Sequence, residues 1–379
     1  MLSFPFAASR RRVLAAGTAC ALASGVAWAQ PGRKGGKPLT VAQIVDTSAD
    51  QQDVAKDFLI GSRAAWQDIN SKGGLRGRPV QHTSIEVDGT LPSLRAALDG
   101  VLANPSCVVL AGTVSDPVAS QLAALLRKEG AGIAHVAPWL QNSSVEIDDR
   151  TFPIFAARQD QIAHALKNLT VIGVREVGAV FASVREFDLY RDDVAQTAQK
   201  LQLKLSTWRG NGDLPQLAQR LGPTTPPLLL FVGGTPELVQ FTQGLDKQSR
   251  QRYVIALADV NLQTVMQMGG GKTTPVIATQ AVPMVSSSLP VVRRYREAMA
   301  RLFDEPPVAL SLAGFIAARY TYEVLADIDG PLTRASALAA FQRRSELDVG
   351  GFRVSFNRHN RGGTFVTQTI LTSDGRVVG

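Results

Sequence analysis

Cysteine is nearly absent from this chain: 379 residues hold two, Cys20 and Cys107. A cross-linked scaffold is therefore excluded, and stability has to come from packed cores. Histidine is equally sparse, with His82, His135, His164 and His359 far apart and without ligand spacing to cysteines or paired acids, which excludes a recognisable metal site. No nucleophile elbow, nucleotide loop, heptad or short-period repeat is present. Gly269-Gly270-Gly271-Lys272-Thr273 ends like a phosphate-binding loop, but Met266 stands where that loop needs glycine, and a helix-like segment precedes it instead of a strand. The net charge of +8 invites a nucleic-acid reading. The arginines are scattered, however (Arg158, Arg175, Arg293-Arg294, Arg343-Arg344), and no aromatics interleave with them, so no nucleic-acid partner is expected.

What is present begins at the N-terminus. Arg10-Arg11-Arg12-Val13-Leu14 opens an apolar run to Val26, followed by Ala27-Trp28-Ala29. A basic start, a short apolar stretch and a small-x-small site describe a secretory signal, and the adjacent arginines resemble a twin-arginine (Tat) signal, which exports folded proteins. The run is shorter than the roughly 20 residues that cross a bilayer. Lipidation at Cys20 is the alternative. Cleavage after Ala29 leaves 350 of the 379 residues and removes three arginines, lowering the charge from +8 to +5. Residues 30–38, rich in Gly, Lys and Pro, read as a flexible leader.

Beyond the leader, apolar runs alternate with helical patterns. Strands are expected at Leu39–Asp46, Val80–Val87, Cys107–Ala111, Ile133–Ala137, Val177–Ala182, Leu228–Val232, Tyr253–Ala258 and Val276–Val282. Several are continuously apolar, as strands buried on both faces are. Amphipathic segments lie between them: Leu59, Trp66 and Ile69 share one helical face, as do Leu238, Phe241 and Leu245. The alternation predicts an α/β fold with parallel sheets covered on both faces. Phe352–Phe356 and Phe365–Leu371, around a polar Gly-containing turn, read as a closing hairpin. In such sheets ligands bind outside the carboxyl ends of the strands, so the turns after them are the places to seek function.

The stretch Gly61–Arg78, G-S-R-A-A-W-Q-D-I-N-S-K-G-G-L-R-G-R, resembles the G-x-x-A-A-x-x-x-I-N-x-x-G-G-x-x-G-R segment of periplasmic binding proteins of the leucine/isoleucine/valine-binding type. Val108–Ser115 resembles the family's strand followed by G-x-x-S. Leu312–Ala318 resembles its E-G-Y-x-A-A helix, and Gly350–Phe356 with Arg376 its closing segment. The resemblance implies two doubly wound parallel-sheet lobes joined by three hinge crossings, placed near Arg158, Pro283 and Asp348. It implies a first lobe of residues 39–158 and 284–347, and a second of 159–283 and 348–379.

It also implies a ligand site. Ser115 matches the serine that bonds a ligand carboxylate, and Asp116-Pro117 after it is a helix start whose free N–H groups suit an anion. Both residues also fit plain helix capping. Trp139, Leu140 and Gln141 fall where amino-acid binders carry Gly-Ala-Thr, so Trp139 either narrows the pocket as a stacking wall or packs beneath its loop. Phe187 is the candidate aromatic wall of the second lobe, and Arg185 pairs either with an acidic ligand or with solvent. Asp259 lies near the acid that meets an ammonium group, or caps the next helix.

The expected function is extracytoplasmic capture of a small solute, an amino acid or other small carboxylate, in a cleft between lobes. The expected partner is an ABC transporter permease, through which the protein makes peripheral contact with the inner membrane, and the expected location is the periplasm. No enzymatic activity and no cofactor are expected. A ligand-sensing subunit docking on a signalling receptor and a Tat-exported enzyme are the alternatives.

Overall fold

The computed structural model describes residues 39–372 and 377–378; the export signal, leader, Cys20 and Arg376 lie outside the described residues. The chain opens with β1 (Leu39–Asp46), α1 (Gln52–Ser71), β2 (Val80–Val87), α2 (Leu91–Ala103), β3 (Cys107–Ala111), α3 (Asp116–Glu129), β4 (Ala134–Val136) and β5 (Thr151–Phe152). These strands form a parallel sheet in the order β2-β1-β3-β4-β5. Every residue of β1 and β3 is buried. That burial is the physical reason for their unbroken apolar runs: helices cover both faces of the sheet.

The second lobe follows: α4 (Arg158–Val171), β6 (Glu176–Phe181), α5 (Val184–Lys200), β7 (Lys204–Arg209), α6 (Leu214–Gln219), β8 (Leu228–Val232), α7 (Thr235–Leu245), β9 (Tyr253–Ala256), α8 (Leu262–Gln267) and β10 (Val276–Gln280). The chain then returns to the first lobe through α9 (Pro290–Leu302), α10 (Ala309–Ala326), α11 (Arg334–Gln342), β11 (Leu347–Val349) and β12 (Phe352–Val354). It finishes with β13 (Thr367–Leu371) and β14 (Val377–Val378), in a sheet ordered β14-β13-β10-β9-β8-β6-β7. Strands β6 to β10 run parallel, whereas β13 and β14 are antiparallel.

Several sequence expectations shift. β7 reads Lys-Leu-Ser-Thr-Trp-Arg, a half-exposed edge strand without the apolar run that marks the inner ones. The closing hairpin is built differently: Phe352–Val354 pairs back with Leu347–Val349, and Thr367–Leu371 pairs with β10. Val349, Phe352 and Val354 are buried in the first lobe's core. Asp348 thus sits inside β11, and the third connection runs through the stretch between Val354 and Thr367. That stretch lies beside the other crossings, since Gly362 N donates to Pro153 O at 2.8 Å and Thr367 Oγ1 to Val282 O at 2.8 Å. The Gly269–Thr273 segment is a loop after α8, with Gly269 and Gly271 in positive-φ turns.

The first lobe is held by a close helix crossing. A Cβ on Gly61 of α1 would stand 1.7 Å from Ser311 O, and one on Gly314 of α10 would stand 1.9 Å from Phe58 O. Each helix presses its backbone into the gap left by the other's glycine, and Ser62 Oγ reaches Gly314 O at 3.3 Å. Gly61, from the Gly61–Arg78 segment, and Gly314, from the Leu312–Ala318 segment, are therefore one interlocking feature.

Candidate functional site

The turns after β1, β3, β6, β8 and β9 converge between the lobes. Two adjoining recesses open there, with volumes of about 370 and 140 Å³, sharing Gln51, Arg158, Arg185, Glu186 and Asp259. The larger also takes in Asp116, Asn142, Asp188 and Tyr190; the smaller takes in Asp50, Ser183, Gly233, Gly234 and Glu237. Together their walls carry six carboxylates (Asp50, Asp116, Glu186, Asp188, Glu237, Asp259) and two guanidiniums (Arg158, Arg185).

Arg158 is the centre of this constellation. It is the first residue of α4, 3% exposed, and its Nη2 donates to Asp259 Oδ2 at 2.5 Å. Its guanidinium lies 4.6 Å from the centroid of the Tyr190 ring, and its Nε has no hydrogen-bond partner. Burial alone would weaken the charge, but Asp259 and the surrounding acids hold it firmly protonated. Asp259 accepts a second bond, from Trp139 Nε1 at 2.7 Å. Asp116 Oδ1 accepts from the backbone N–H groups of Gln141 and Asn142 at 2.6 and 2.7 Å, and its Oδ2 from Tyr190 Oη at 2.6 Å. Burial pushes the Asp116 carboxyl above its ordinary range, against Arg158 and these donors. Burial likewise raises Glu186, opposed by Arg158.

The expected residues divide sharply. Asp116 and Asp259 face the recesses. Ser115 does not: it is fully buried, its Oγ donates to Asp46 Oδ2 at 2.7 Å, and the same oxygen caps α3 by accepting from Val118 N. Its φ of 81° is the left-handed region that favours glycine, so these two bonds hold a strained backbone. The hydroxyl is committed within the protein. Trp139 is 1% exposed, its ring lying 5.8 Å from Phe58 and 5.2 Å from Phe155. It packs beneath its loop in the first lobe's core, and only its N–H reaches the cleft. Leu140 packs against Ala119 and Ile147, away from the recess. Gln141 is fully buried and bonds Gln161, leaving its Nε2 without a partner. Phe187 stands edge-on to Phe181 at 5.2 Å beneath the Arg191 and Arg209 guanidiniums, and is not among the residues of either recess. Arg185 faces Asp50 at 3.7 Å, with both side chains half exposed.

Sequence reading missed Tyr190, Glu186 and Glu237, and saw Arg158 only as a hinge. The turns bearing Glu186 and Glu237 were visible, because each glutamate opens a helix after a buried strand. Tyr190 carries no local signal. It reaches Asp116 only because the lobes face each other.

The described chain matches the periplasmic binding protein family over residues 38–372. No curated protein matches it. Among solved structures it is similar to an extracellular ligand-binding receptor from Verminephrobacter eiseniae, at 18% identity and a TM-score of 0.83, covering 90% of this chain and 100% of that one. A substrate-binding periplasmic protein from Ralstonia solanacearum follows, at 19% identity and a TM-score of 0.80, covering 90% and 99% of the two chains. A branched-chain amino acid ABC transporter protein from Thermus thermophilus, solved with bound valine, shares 12% identity and a TM-score of 0.78, covering 91% and 95%. A family match across almost the whole described chain, on two lobes enclosing a charged recess, leads to one conclusion: the chain belongs to the periplasmic binding protein family.

Proposed function

We propose that this protein is the solute-capturing component of an ABC-type uptake system, working outside the cytoplasm and delivering its ligand to a membrane permease. The observation that carries the proposal is the recess between the lobes, where buried polar groups from both sheets meet at the carboxyl ends of the strands. Bonds between the two lobes, such as Tyr190 to Asp116 at the recess and Asn261 Nδ2 to Asp57 Oδ2 at 2.7 Å outside it, are of the kind that lobe closure makes and opening breaks. Binding then couples to closure because the solute favours the conformation in which both walls touch it. The valine found in the Thermus thermophilus structure supports a small polar solute, and the export signal expected over residues 1–29 supports the location.

Native mass spectrometry of gently purified protein tests the reading. A stoichiometric small-molecule adduct, lost on denaturation, is the expected result. Turnover of that molecule would replace binding with catalysis. Unchanged growth on the ligand when the protein is deleted would move the role from uptake to sensing.

A further inference from the structure

The recess is electrostatically lopsided, with acids outnumbering bases in its walls. Six carboxylates face two guanidiniums, and both guanidiniums are engaged, Arg158 by Asp259 at 2.5 Å and Arg185 by Asp50 at 3.7 Å. The hydroxyl expected to greet a ligand carboxylate, Ser115, is bound to Asp46 inside the protein. The acid expected to greet an ammonium, Asp259, is already shared between Trp139 and Arg158.

Two other acids are left open. Glu186 sits in the first turn of α5 and Glu237 in the first turn of α7. An acid there has an ordinary explanation: it faces the positive end of the helix and folds back onto the N-cap N–H to complete a capping box. In α5 only half of that box forms, with Glu186 N donating to Ser183 Oγ at 3.1 Å and no return bond from the carboxylate. In α7 the cap is Gly234, which has no side chain to share. The Oε2 atoms of Glu186 and Glu237 are both buried without a hydrogen-bond partner, and both side chains face the same recess. A buried carboxylate oxygen left unpaired is costly, and a cation placed against it removes that cost. Beside them Arg158, nine-tenths buried and more, lines the same recess and keeps an unpaired Nε–H.

We infer that the solute is a small molecule of net positive charge, an amine or guanidine held between Glu186 and Glu237, with a neutral acceptor atom at Arg158 Nε. This rests on the solute-binding reading and names its substrate class. Valine-like zwitterions and plain carboxylates lack the excess positive charge that this wall favours.

The test is isothermal titration of the full exported protein, freed of bound solute by unfolding and refolding, with putrescine and agmatine against valine, glutarate and benzoate. Binding of a diamine or guanidine at least tenfold tighter than any acid or zwitterion is expected. Glu186→Gln and Glu237→Gln keep the side-chain shape and remove the charge; each is expected to weaken the amine at least tenfold without lowering the ligand-free melting temperature. Tighter binding of an acid or zwitterion overturns the substrate class but leaves the solute-binding reading standing. Unchanged amine affinity in both glutamine variants overturns the assigned residues. Binding of no probe, with no adduct on the freshly purified protein, overturns the solute-binding reading and this inference with it.

Discussion

Tyr190, on the second lobe's helix α5, donates its phenolic hydroxyl at 2.6 Å to Asp116, on the first lobe's helix α3. Tyr190 is 1% exposed and Asp116 8%, so this is a buried, charge-assisted bond across the hinge. The other two bonds to Asp116 come from backbone N–H groups of Gln141 and Asn142, on its own side of the recess.

Tyr190→Phe separates that bond from the packing of the ring. The benzyl group stays beneath the Arg158 guanidinium, and only the hydroxyl is lost. A bond to a charged acceptor contributes about 1.5–3 kcal/mol. The ligand-free variant is expected to populate open forms more, seen as a larger radius of gyration by small-angle scattering and a lower melting temperature. An unchanged scattering curve would show that the bond does not help to hold the lobes together.

Trp139 separates core from cleft in a single side chain. Its ring belongs to the Phe58–Phe155 cluster, and its N–H belongs to Asp259. Trp139→Ala is expected to cost about 3–5 kcal/mol of stability by opening a cavity. Trp139→Phe fills much of that space and chiefly removes the N–H, leaving Asp259 to Arg158. Chemical denaturation of the two variants checks the ordering, alanine being much the less stable.

Gly61 and Gly314 are expected to tolerate no side chain. With backbone atoms 1.7 and 1.9 Å from the added carbon, Gly61→Ala or Gly314→Ala has to push α1 and α10 apart. Overpacking of a core typically costs 1–3 kcal/mol, and about 3 kcal/mol or more is expected here because the obstacle is backbone and no flexible side chain can give way. Thermal melts measure it, and the double variant should cost less than the sum, since one displacement serves both.

His135 carries a pH signature. It is fully buried on β4, neither ring nitrogen has a partner, and burial depresses its pKa from 6.5 to about 3 despite Asp148 nearby. A depressed histidine resists protonation when folded, so the stability it contributes is intact above pH 6.5 and lost as the pH falls toward 3. His135→Leu removes this liability. The variant is expected to match the parent near pH 7.5 and to exceed it increasingly below pH 6.5, by roughly 3 kcal/mol at pH 4 at 1.36 kcal/mol per unit. Parallel denaturation curves against pH would refute it.

The sequence by itself carried the layered architecture, because burial on two faces leaves its mark residue by residue. β1, β3 and β8 begin and end where their apolar runs do, β2 keeps its expected bounds although only its ends are buried, and Gly61 and Gly314 lie in segments that carry the family resemblance. Edge strand β7 left no such mark, since half of it faces water. Pairing partners were also hidden: an apolar triplet such as Phe352–Val354 says that it is buried, not which strand it lies beside. The site was half legible for the same reason. Asp116 and Asp259 follow strand ends, where local order shows a turn and a helix start, and both face the recess. Whether Ser115, Trp139 or Phe187 points into that recess depends on bonds to Asp46, Phe58 and Phe181, and the first two of those lie far away in the chain. The meeting of Arg158, Glu186, Tyr190 and Glu237, from three helices of the second lobe, with Asp116 of the first was decided only by the tertiary structure, because a charge network is a property of distance in space, which spacing along the chain does not encode.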